Sequence, residues 1–411
     1  MRLLSHMLSR FVQAGSLRVT DAGGVVRDFA GQQPGPFASV RLHDPTLHRR
    51  LFAAPALAVG EAYMDGTLTL EDGTTLRDLF ALYGQNFQAL DGYPLQALLN
   101  SVGRRLRRLQ QYNPVGKAQE HVHHHYDLSR ELFELFLDED MQYSCAYFGD
   151  GVSSIEAAQI AKKRHIAAKL LLDDAKSVLD IGSGWGGMAM TLAELAPVEV
   201  TGVTLSVEQQ KLAEERARQR GLGNRVKFEL RDYRLLDQRF DRIVSVGMFE
   251  HVGVAYYDEY FGKVRDLLAD DGVMLLHSIG RMTPPGNTGP WLRKYIFPGG
   301  YVPALSEVLA AVERQGLWVT DIEILRVHYA DTLAAWNQRF QEQRERVAKL
   351  YDERFCRMWE FYLLGCENEF RMGTCMVFQM QLARKRDAAP LTRDYITDTE
   401  RRYATMAAAA E

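Results

Sequence analysis

Two side chains capable of acid–base chemistry, Glu250 and His277, lie near the ends of predicted strands. A glycine-rich loop, Gly182–Gly187, directly follows another predicted strand. The carboxyl ends of parallel strands share one edge of an open α/β sheet, and ligands bind in the crevice at that edge. The stretches VLDIGSGWGG, SVGMFEHVG and LLHSIG therefore place a carboxylate and an imidazole beside a bound cofactor. The sequence predicts an enzyme.

Alternating strands and helices from about residue 125 onward position these groups. This alternation is typical of an α/β fold with a doubly wound, mostly parallel sheet, here of seven strands. The predicted strands are Ser177–Ile181, Val198–Thr204, Val226–Leu230, Arg242–Val246, Val273–Ile279, Trp318–Leu325 and Cys375–Leu382. The predicted helices are Met188–Ala196, Val207–Arg220, Leu305–Gln315 and the charged stretch Ala330–Arg354.

The chain of 411 residues is long enough for two domains. We predict a smaller N-terminal α+β domain for lipid or membrane association at residues 1–112 and a linker at 113–120. The catalytic domain is predicted at residues 121–411. The N-terminal helix carries its apolar side chains on one face, so it either covers its own domain or lies on a membrane surface. The basic segment Gly103–Leu109 is either a solvated face or a contact to anionic lipid.

Composition excludes several classes of protein. The formal net charge of −4 argues against a general nucleic-acid-binding protein. Four scattered cysteines form no CxxC pair and fit a reducing cytosol. The sequence shows neither an apolar run of about 18 residues nor a secretory signal, so we expect a cytoplasmic protein.

The loop at residues 182–187 contains GxGxxG, which alone is a weak signal and is also compatible with a dinucleotide enzyme. A dinucleotide enzyme needs an acidic residue at the end of the second strand, and Glu199 lies at the opposite end of that strand. Asp180 precedes the glycines, where it either orders the turn or reaches a cationic amino group. The arrangement VLDIGSGWGG resembles motif I of the class I S-adenosylmethionine-dependent methyltransferases.

Further motifs resemble the cyclopropane-fatty-acid synthase family, which includes the mycolic acid cyclopropane synthases. These motifs are YDLS (126–129), YSCAYF (143–148), TLSVEQ (204–209), DRIVSVGMFEHVG (241–253) and GEAYMDG (60–66), together with residues 275–279 and 361–379. The resemblance implies that S-adenosylmethionine is the co-substrate. The cofactor-binding residues that it implies, including motif I, are Tyr143, Ser144, Asp180, Gly182, Gly184, Gly186, Thr204, Gln209, Asp232 and Tyr233. Ser206 and Gln209 also fit a capping box that opens the following helix.

The resemblance assigns Cys145, Glu250, His277, Tyr329 and the backbone of Ile279 to a bicarbonate-binding pocket. Taken singly, the cysteine, histidine and tyrosine would each favour a packing role, so the assignment depends on all four side chains together. In the implied reaction, an alkene attacks the sulfonium methyl, and positive charge develops on the acyl chain. Bicarbonate, oriented by Glu250, then removes a proton from the added methyl so that the ring closes.

Two other groups of residues suggest additional chemistry. The aromatic residues Tyr295, Phe297 and Tyr301 either shield the cation or belong to a lid. The histidines at 121, 123, 124 and 125 suggest a metal site, but no cysteine or carboxylate at ligand spacing completes a set. We therefore predict no metal.

The resemblance implies an enzyme that converts cis double bonds of phospholipid acyl chains to cyclopropanes. It would bind peripherally to the inner face of the cell membrane, and a homodimer is compatible with the resemblance. The alternatives are methyl or methylene branching of acyl chains, methylation of a small amine, and a non-catalytic lipid-binding protein. Intact motif I and an intact pocket argue against the last of these.

Overall fold

The structure is a computed structural model that describes residues 1–91 and 128–408. The described residues form two compact units. The first unit contains residues 1–91, 287–298 and 333–374, and the second contains residues 128–286, 299–332 and 375–408. The predicted linker, the basic segment 103–109 and the histidines at 121–125 lie outside the described residues. The first unit thus includes two later segments that the sequence analysis assigned to the catalytic domain.

The first unit contains a four-stranded sheet with the strand order β2-β1-β3-β4. Its strands are β1 (Ala14–Thr20), β2 (Val26–Ala30), β3 (Gln33–Leu42) and β4 (Leu68–Leu70). Strand β1 pairs antiparallel with β2 and parallel with β3. The helices of this unit are Arg2–Phe11, Leu47–Ala53, Pro55–Met64, Leu76–Asp91, Pro290–Tyr295, Arg344–Leu350 and Glu353–Met372.

The N-terminal helix packs against its own unit. Leu4, Met7 and Phe11 are spaced by three and four residues, so they share one helical face. All three are buried in a core that also contains residues of β1 and β3. Leu3, in contrast, is 65% exposed. This packing favours the first of the two sequence interpretations, a helix that covers its own domain.

The second unit contains a seven-stranded sheet with the order β10-β11-β9-β8-β5-β6-β7. Its strands are β5 (Ser177–Ile181), β6 (Glu199–Thr204), β7 (Val226–Leu230), β8 (Phe240–Val246), β9 (Leu268–Arg281), β10 (Trp318–Ile324) and β11 (Cys375–Ala383). Strand β11 runs antiparallel to both of its neighbours, and the other described pairings in this sheet are parallel. The predicted mostly parallel, seven-stranded sheet is confirmed.

Helices cover both faces of this sheet. They include Ile155–Lys169, Gly187–Leu195, Val207–Gln219, Tyr257–Leu267, Leu305–Arg314 and Asp394–Ala408. The second unit also contains the short helix Arg130–Phe136. In β5, Val178 belongs to one buried core, whereas Leu179 and Ile181 belong to another. Neighbouring residues of a strand point to opposite faces, so both faces of β5 are buried.

The predicted continuous helical stretch Ala330–Arg354 is wrong. One helix, His328–Glu342, ends before Gln343, and a second helix, Arg344–Leu350, is followed by a break. The Asp352 side chain then accepts a hydrogen bond of 2.6 Å from the Phe355 amide and begins the helix Glu353–Met372. An aspartate at this position satisfies a free amide at the helix start, so it favours a new helix over a continuous one.

The glycine-rich loop turns sharply between β5 and the helix Gly187–Leu195. Gly182, Gly184 and Gly186 have left-handed φ angles of 81°, 52° and 84°. A Cβ atom added at Gly186 would lie 2.7 Å from Phe228 Cζ and 2.9 Å from Ala213 Cβ, whereas one added at Gly184 would meet nothing within 4 Å. Glycine is therefore required at position 186 for both conformation and space.

We expect Gly186→Ala to lower the free energy of unfolding by about 2–4 kcal/mol, because left-handed strain and steric overlap add. The matched control Gly184→Ala introduces only the conformational strain of about 1–2 kcal/mol. Urea denaturation followed by circular dichroism measures both. Equal losses for the two variants would show that close packing at Gly186 does not matter.

Candidate active site

The predicted acid and imidazole meet at the carboxyl edge of the sheet. Val246, the last residue of β8, stands directly opposite His277 of β9. The Gly247 amide donates a hydrogen bond of 3.0 Å to the His277 carbonyl. Glu250 follows in the short helix Phe249–His251, so the turn after β8 delivers it beside β9.

Glu250 is buried and held at one oxygen. The Ile279 amide donates a hydrogen bond of 2.7 Å to Glu250 Oε1. Glu250 Oε2 is buried and has no hydrogen-bond partner among the described residues. Burial raises the pKa of Glu250 to about 7. One side of this carboxyl group is thus fixed, and the other oxygen is left to accept or share a proton.

The segment 143–148, which contains Cys145, is hydrogen-bonded to the first turn of the helix that carries Tyr329. The Ala146 amide donates 3.0 Å to Thr332 Oγ1, and the Phe148 amide donates 2.9 Å to His328 Nδ1. Tyr329 lies between His328 and Thr332 in the sequence, and it is buried in the first turn of the helix. Burial raises the pKa of the Cys145 thiol well above its ordinary value, so the thiol is neutral, and it donates 3.3 Å to the Ala146 carbonyl.

His277 is also buried, and its ring is held by the neighbouring strand β11. Gln379 Nε2 lies 3.2 Å from His277 Nδ1. Burial and the nearby charges of Lys162 and Lys169 hold the pKa of His277 well below its ordinary value. The imidazole is therefore neutral at physiological pH.

Asp180 and Ser183 flank the glycines with polar atoms that need partners. Asp180 Oδ2 and Ser183 Oγ are buried and have no hydrogen-bond partner among residues 1–91 and 128–408. Burial raises the pKa of Asp180 to about 7, although the charge of Lys162 opposes the shift. A ligand that carries a cationic amino group would satisfy this carboxylate, and the residues present fit S-adenosylmethionine in this respect.

Lys162 lies beside Ser144 at the candidate site and was not singled out from the sequence. Its fully buried ammonium donates 2.8 Å to Gln142 Oε1 and 2.9 Å to Ser144 Oγ. Burial lowers the pKa of Lys162 to about 7. In the sequence, AKKRHIAAK has the composition of a solvated charged helix. The available signal was the seven-residue spacing of Lys162 and Lys169, which places both on one helical face.

Thr204 and Gln209 lie together at the end of β6, where the Thr204 hydroxyl donates 2.9 Å to Gln209 Oε1. Ser206 caps the helix Val207–Gln219 by accepting a hydrogen bond of 3.3 Å from the Gln209 amide. The predicted reciprocal capping box is wrong in its second half, because the Ser206 amide donates 3.2 Å to Thr204 Oγ1 instead of to the Gln209 side chain. Glu199 is the first residue of β6, so the acid needed by a dinucleotide enzyme is absent from this strand end.

The remaining predicted cofactor residues have partners of their own. Asp232 forms an ion pair of 2.6 Å with Arg234 and caps the turn after β7. The Tyr233 ring packs edge-on against Tyr260. The Tyr143 ring contacts Phe133 at 5.2 Å between centroids.

The three aromatic residues suggested for cation shielding belong to different units. Tyr295 and Phe297 lie in the first unit, where the Tyr295 hydroxyl donates 2.9 Å to Glu61. Tyr301 lies in the second unit, where its amide donates 3.0 Å to the Glu250 carbonyl. Of the three, Tyr301 has a direct contact with the backbone of a predicted catalytic residue.

Among residues 1–91 and 128–408, no group of three or more His, Cys, Asp or Glu side chains is arranged to hold a metal ion. In the same ranges, no helix is both long and apolar enough to cross a bilayer.

Comparison with known proteins identifies the family. The sequence profile described as "Mycolic acid cyclopropane synthetase" matches residues 115–380. The "Cyclopropane-fatty-acyl-phospholipid synthase" of Escherichia coli (strain K12) is 39% identical over 350 residues, which cover 84% of this chain and 88% of that protein. The chain belongs to the mycolic acid cyclopropane synthetase family.

Two further known proteins are similar to this chain. The "Tuberculostearic acid methyltransferase UfaA1" of Mycobacterium tuberculosis (strain ATCC 25618 / H37Rv) is 36% identical and covers 84% of this chain and 83% of that protein. The crystal structure of "mycolic acid cyclopropane synthase CmaA1 complexed with SAH and CTAB" is similar with a TM-score of 0.61 at 34% identity. The similar region covers 66% of this chain and 99% of the CmaA1 chain. The chain is an S-adenosylmethionine-dependent methyltransferase of this family.

The raised pKa of Glu250 predicts a pH-dependent stability. Protonation of this buried carboxyl group stabilises the fold fully below about pH 4.5, and the contribution is lost as pH rises through about 7. Glu250→Gln cannot lose that proton. We therefore expect wild type to lose about 1–3 kcal/mol relative to Glu250→Gln between about pH 5 and about pH 8.

Urea denaturation at both pH values, without added ligand, measures this difference. The control Glu199→Gln removes an exposed carboxylate at the start of β6. Its stability relative to wild type should change little with pH. Parallel behaviour of the two variants would contradict a buried, proton-binding Glu250.

Proposed function

We propose that this enzyme transfers the methyl group of S-adenosylmethionine to cis double bonds of unsaturated phospholipid acyl chains and forms cyclopropane fatty acids, with bound bicarbonate as the base. The names of the relatives support a lipid alkene as the substrate. The observation that carries the proposed base is the buried, unpartnered Oε2 of Glu250 beside the amide-bound Oε1. A bicarbonate hydroxyl would donate to that oxygen and satisfy it.

S-adenosylmethionine supplies the methyl group as a sulfonium electrophile, and one proton of that methyl must leave before the ring can close. The chain's part is to position the groups around these events. Asp180 accepts from the cofactor's amino group, and Gly182, Gly184 and Gly186 allow the backbone to approach it. Ser144, held by Lys162, and Tyr143 line the methionine end, while Thr204, Gln209, Asp232 and Tyr233 contact the hydroxyls and adenine.

Neutral donors hold the anion in this proposal. The Cys145 thiol, the Tyr329 hydroxyl and the His277 ring supply hydrogen bonds, Glu250 fixes the orientation, and the Ile279 backbone contributes a fifth group. In the structure the Ile279 amide donates to Glu250 Oε1, so its first effect is to orient that carboxyl group. Preorganised donors in a buried site stabilise charge far better than water-exposed ones.

A second candidate is transfer of a methyl or methylene branch to the acyl chain. The relative named for tuberculostearic acid methylation, at 36% identity, favours this possibility. Both reactions begin with attack of the alkene on the methyl group, and in both the added methyl then loses a proton. Methylene branching also requires a hydride shift along the acyl chain before that loss, and a saturated methyl branch would further require a hydride donor that reduces the methylene. The product distinguishes them.

We further propose that the N-terminal region, with the basic segment 103–109, brings the enzyme to the inner face of the cell membrane. The N-terminal helix buries Leu4, Met7 and Phe11, so attachment would depend on charge more than on this helix. We expect binding to be peripheral and the protein to be cytoplasmic. A homodimer is compatible with this arrangement.

The function is tested by incubating the enzyme with S-adenosylmethionine and vesicles of unsaturated phospholipid, followed by mass spectrometry of the acyl chains. Cyclopropane formation adds one carbon and leaves a chain that resists mild hydrogenation. A chain that gains a carbon but still takes up hydrogen identifies methylene branching. Loss of S-adenosylmethionine without a lipid product would overturn the proposed substrate.

We expect removal of bicarbonate from the buffer to slow turnover at least tenfold, because general-base catalysis contributes about 10²–10⁴-fold. Glu250→Gln should lower kcat by about 10²–10⁴-fold while the Kd for S-adenosylmethionine, measured by calorimetry, changes little. Glu199→Gln serves as the control with unchanged kcat. Equal turnover with and without bicarbonate would remove it as the base.

The basic segment predicts salt-sensitive membrane binding. Replacing Arg104, Arg105, Arg107 and Arg108 with Gln should lower affinity for anionic vesicles at least tenfold, since each basic side chain contributes about 1 kcal/mol near such a surface. Co-sedimentation with anionic and neutral vesicles measures the effect. A control variant with the same charge change carries Gln at Arg218, Arg239, Arg314 and Arg401. Equal losses of vesicle affinity in the two variants would show that binding depends on overall charge and not on the segment 103–109.

A further inference from the structure

A row of polar side chains crosses three neighbouring strands of the seven-stranded sheet. Gln379 of β11 stands directly opposite His277 of β9 on one side and Glu323 of β10 on the other. Directly opposite residues in paired strands point to the same face. The helix Ile155–Lys169 places the Lys169 ammonium over this row. His277, Gln379 and Lys169 are each at most 2% exposed.

The hydrogen bonds along this row have a fixed direction. Lys169 Nζ donates 2.8 Å to Gln379 Oε1, and Gln379 Nε2 lies 3.2 Å from His277 Nδ1. An ammonium group has three donors and no acceptor, so the amide oxygen of Gln379 must face Lys169. The amide nitrogen, which only donates, must then face His277. Nδ1 of His277 is therefore an acceptor and carries no proton.

His277 has only one proton to place. Burial, together with the charges of Lys162 and Lys169, keeps its pKa well below the ordinary value, so the ring is neutral. A neutral imidazole carries its proton on one nitrogen, and the hydrogen bond at the other nitrogen decides which. With Nδ1 accepting from Gln379, the proton lies on Nε2.

We infer that Lys169 and Gln379 are positioning residues that fix the ring proton of His277 on Nε2. The consequence for catalysis rests on the proposed function, in which His277 donates a hydrogen bond to bicarbonate. The Nε2–H tautomer presents a donor to that anion. The opposite tautomer would present a lone pair and repel it.

Lys169 is itself held in place from the far end of the row. Its ammonium pairs with Glu323, and Glu323 Oε2 also lies 2.7 Å from His165 Nε2. His165 Nδ1 lies 2.5 Å from Glu400 of the C-terminal helix, and the Tyr147 ring stacks on the imidazole. Burial opposes ionisation of Glu323, but His165 and Lys169 hold the pKa of this carboxyl well below its usual range. An ionised Glu323 keeps the ammonium beside Gln379.

The test reads the tautomer directly. Nuclear magnetic resonance of the full-length enzyme, with ¹⁵N- and ¹³C-labelled histidine rings, distinguishes Nε2–H from Nδ1–H. The His277→Gln variant assigns the signal among the 11 histidines. We expect Nε2–H in wild type without bicarbonate or lipid. In Gln379→Glu, a carboxylate accepts from both Lys169 and His277, so the signal should change to Nδ1–H or to the doubly protonated ring.

Two further comparisons separate this effect from general damage. Gln381→Glu places the same buried carboxylate two residues along β11, where Gln381 bonds the Lys169 carbonyl and the Tyr395 hydroxyl. It should leave the His277 signal at Nε2–H. Lys169→Met frees the amide to turn and should give a mixture of tautomers. Lys169→Arg, which also only donates, should restore the single Nε2–H form.

Activity then connects the tautomer with catalysis. Gln379→Glu should raise the KM for bicarbonate about 10- to 100-fold, as expected for losing a hydrogen bond to a charged group, while Gln381→Glu should not. An Nδ1–H signal in wild type, or an unchanged Nε2–H signal in both Gln379→Glu and Lys169→Met, would overturn the inference. A changed tautomer with an unchanged KM would uphold the positioning of His277 and reject its proposed contact with bicarbonate.

Discussion

The arrangement of this site depends on the cost of holding ionisable groups away from water. Asp180, Glu250, Lys162 and His277 are all less than a tenth exposed. Burial favours the neutral form of each group. It raises the pKa of the two carboxyl groups to about 7 and lowers that of the lysine to about 7. The hydrogen bonds and the neighbouring charge then decide which form each group takes. A charged ligand, whether cation or anion, would shift these protonation equilibria. Because charges interact more strongly away from water, the buried groups can bind a charged reactant tightly.

The sheet supplies the precision that such a balance requires. Parallel pairing of β8 and β9 sets Val246 against His277, and antiparallel pairing of β9 and β11 sets His277 against Gln379. Because side chains repeat every second residue, a shift of one residue would turn His277 to the opposite face of the sheet. The same register brings the Ile279 amide to Glu250. The geometry of the candidate site is therefore set by the strand register.

Much of the fold could be predicted from local pattern. Strands β5 and β7 have the predicted bounds, because short apolar runs beside clear turn signals leave little choice. The helices Glu353–Met372 and Asp394–Ala408 were not predicted. Local periodicity also does not indicate that residues 287–298 and 333–374 pack with the N-terminal unit, since that packing joins distant parts of the chain.

The site shows the same division. The family motifs identified the residues at the sheet edge, but the buried polar residues that support them were missed. Lys162 and Lys169 have the composition of a surface helix, and Gln379 alternates with apolar residues in an otherwise ordinary strand. A propensity argument places such groups in water. Only the tertiary structure shows that Ser144 accepts from Lys162 and that Glu323 and Gln379 accept from Lys169.

These protonation states explain why bound bicarbonate, and not a side chain of the protein, suits the role of base in the proposed reaction. A cysteine that acts as a nucleophile has a lowered pKa, whereas burial raises that of Cys145, which leaves a neutral donor. Glu250, with a pKa of about 7, is only partly ionised near neutrality, and one of its oxygens is already committed to the Ile279 amide. Such a carboxyl group is better suited to orienting a small anion than to removing a proton itself. Neutral donors around a mobile anion also avoid placing a permanent negative charge of the protein in an apolar environment, where desolvation would be most costly.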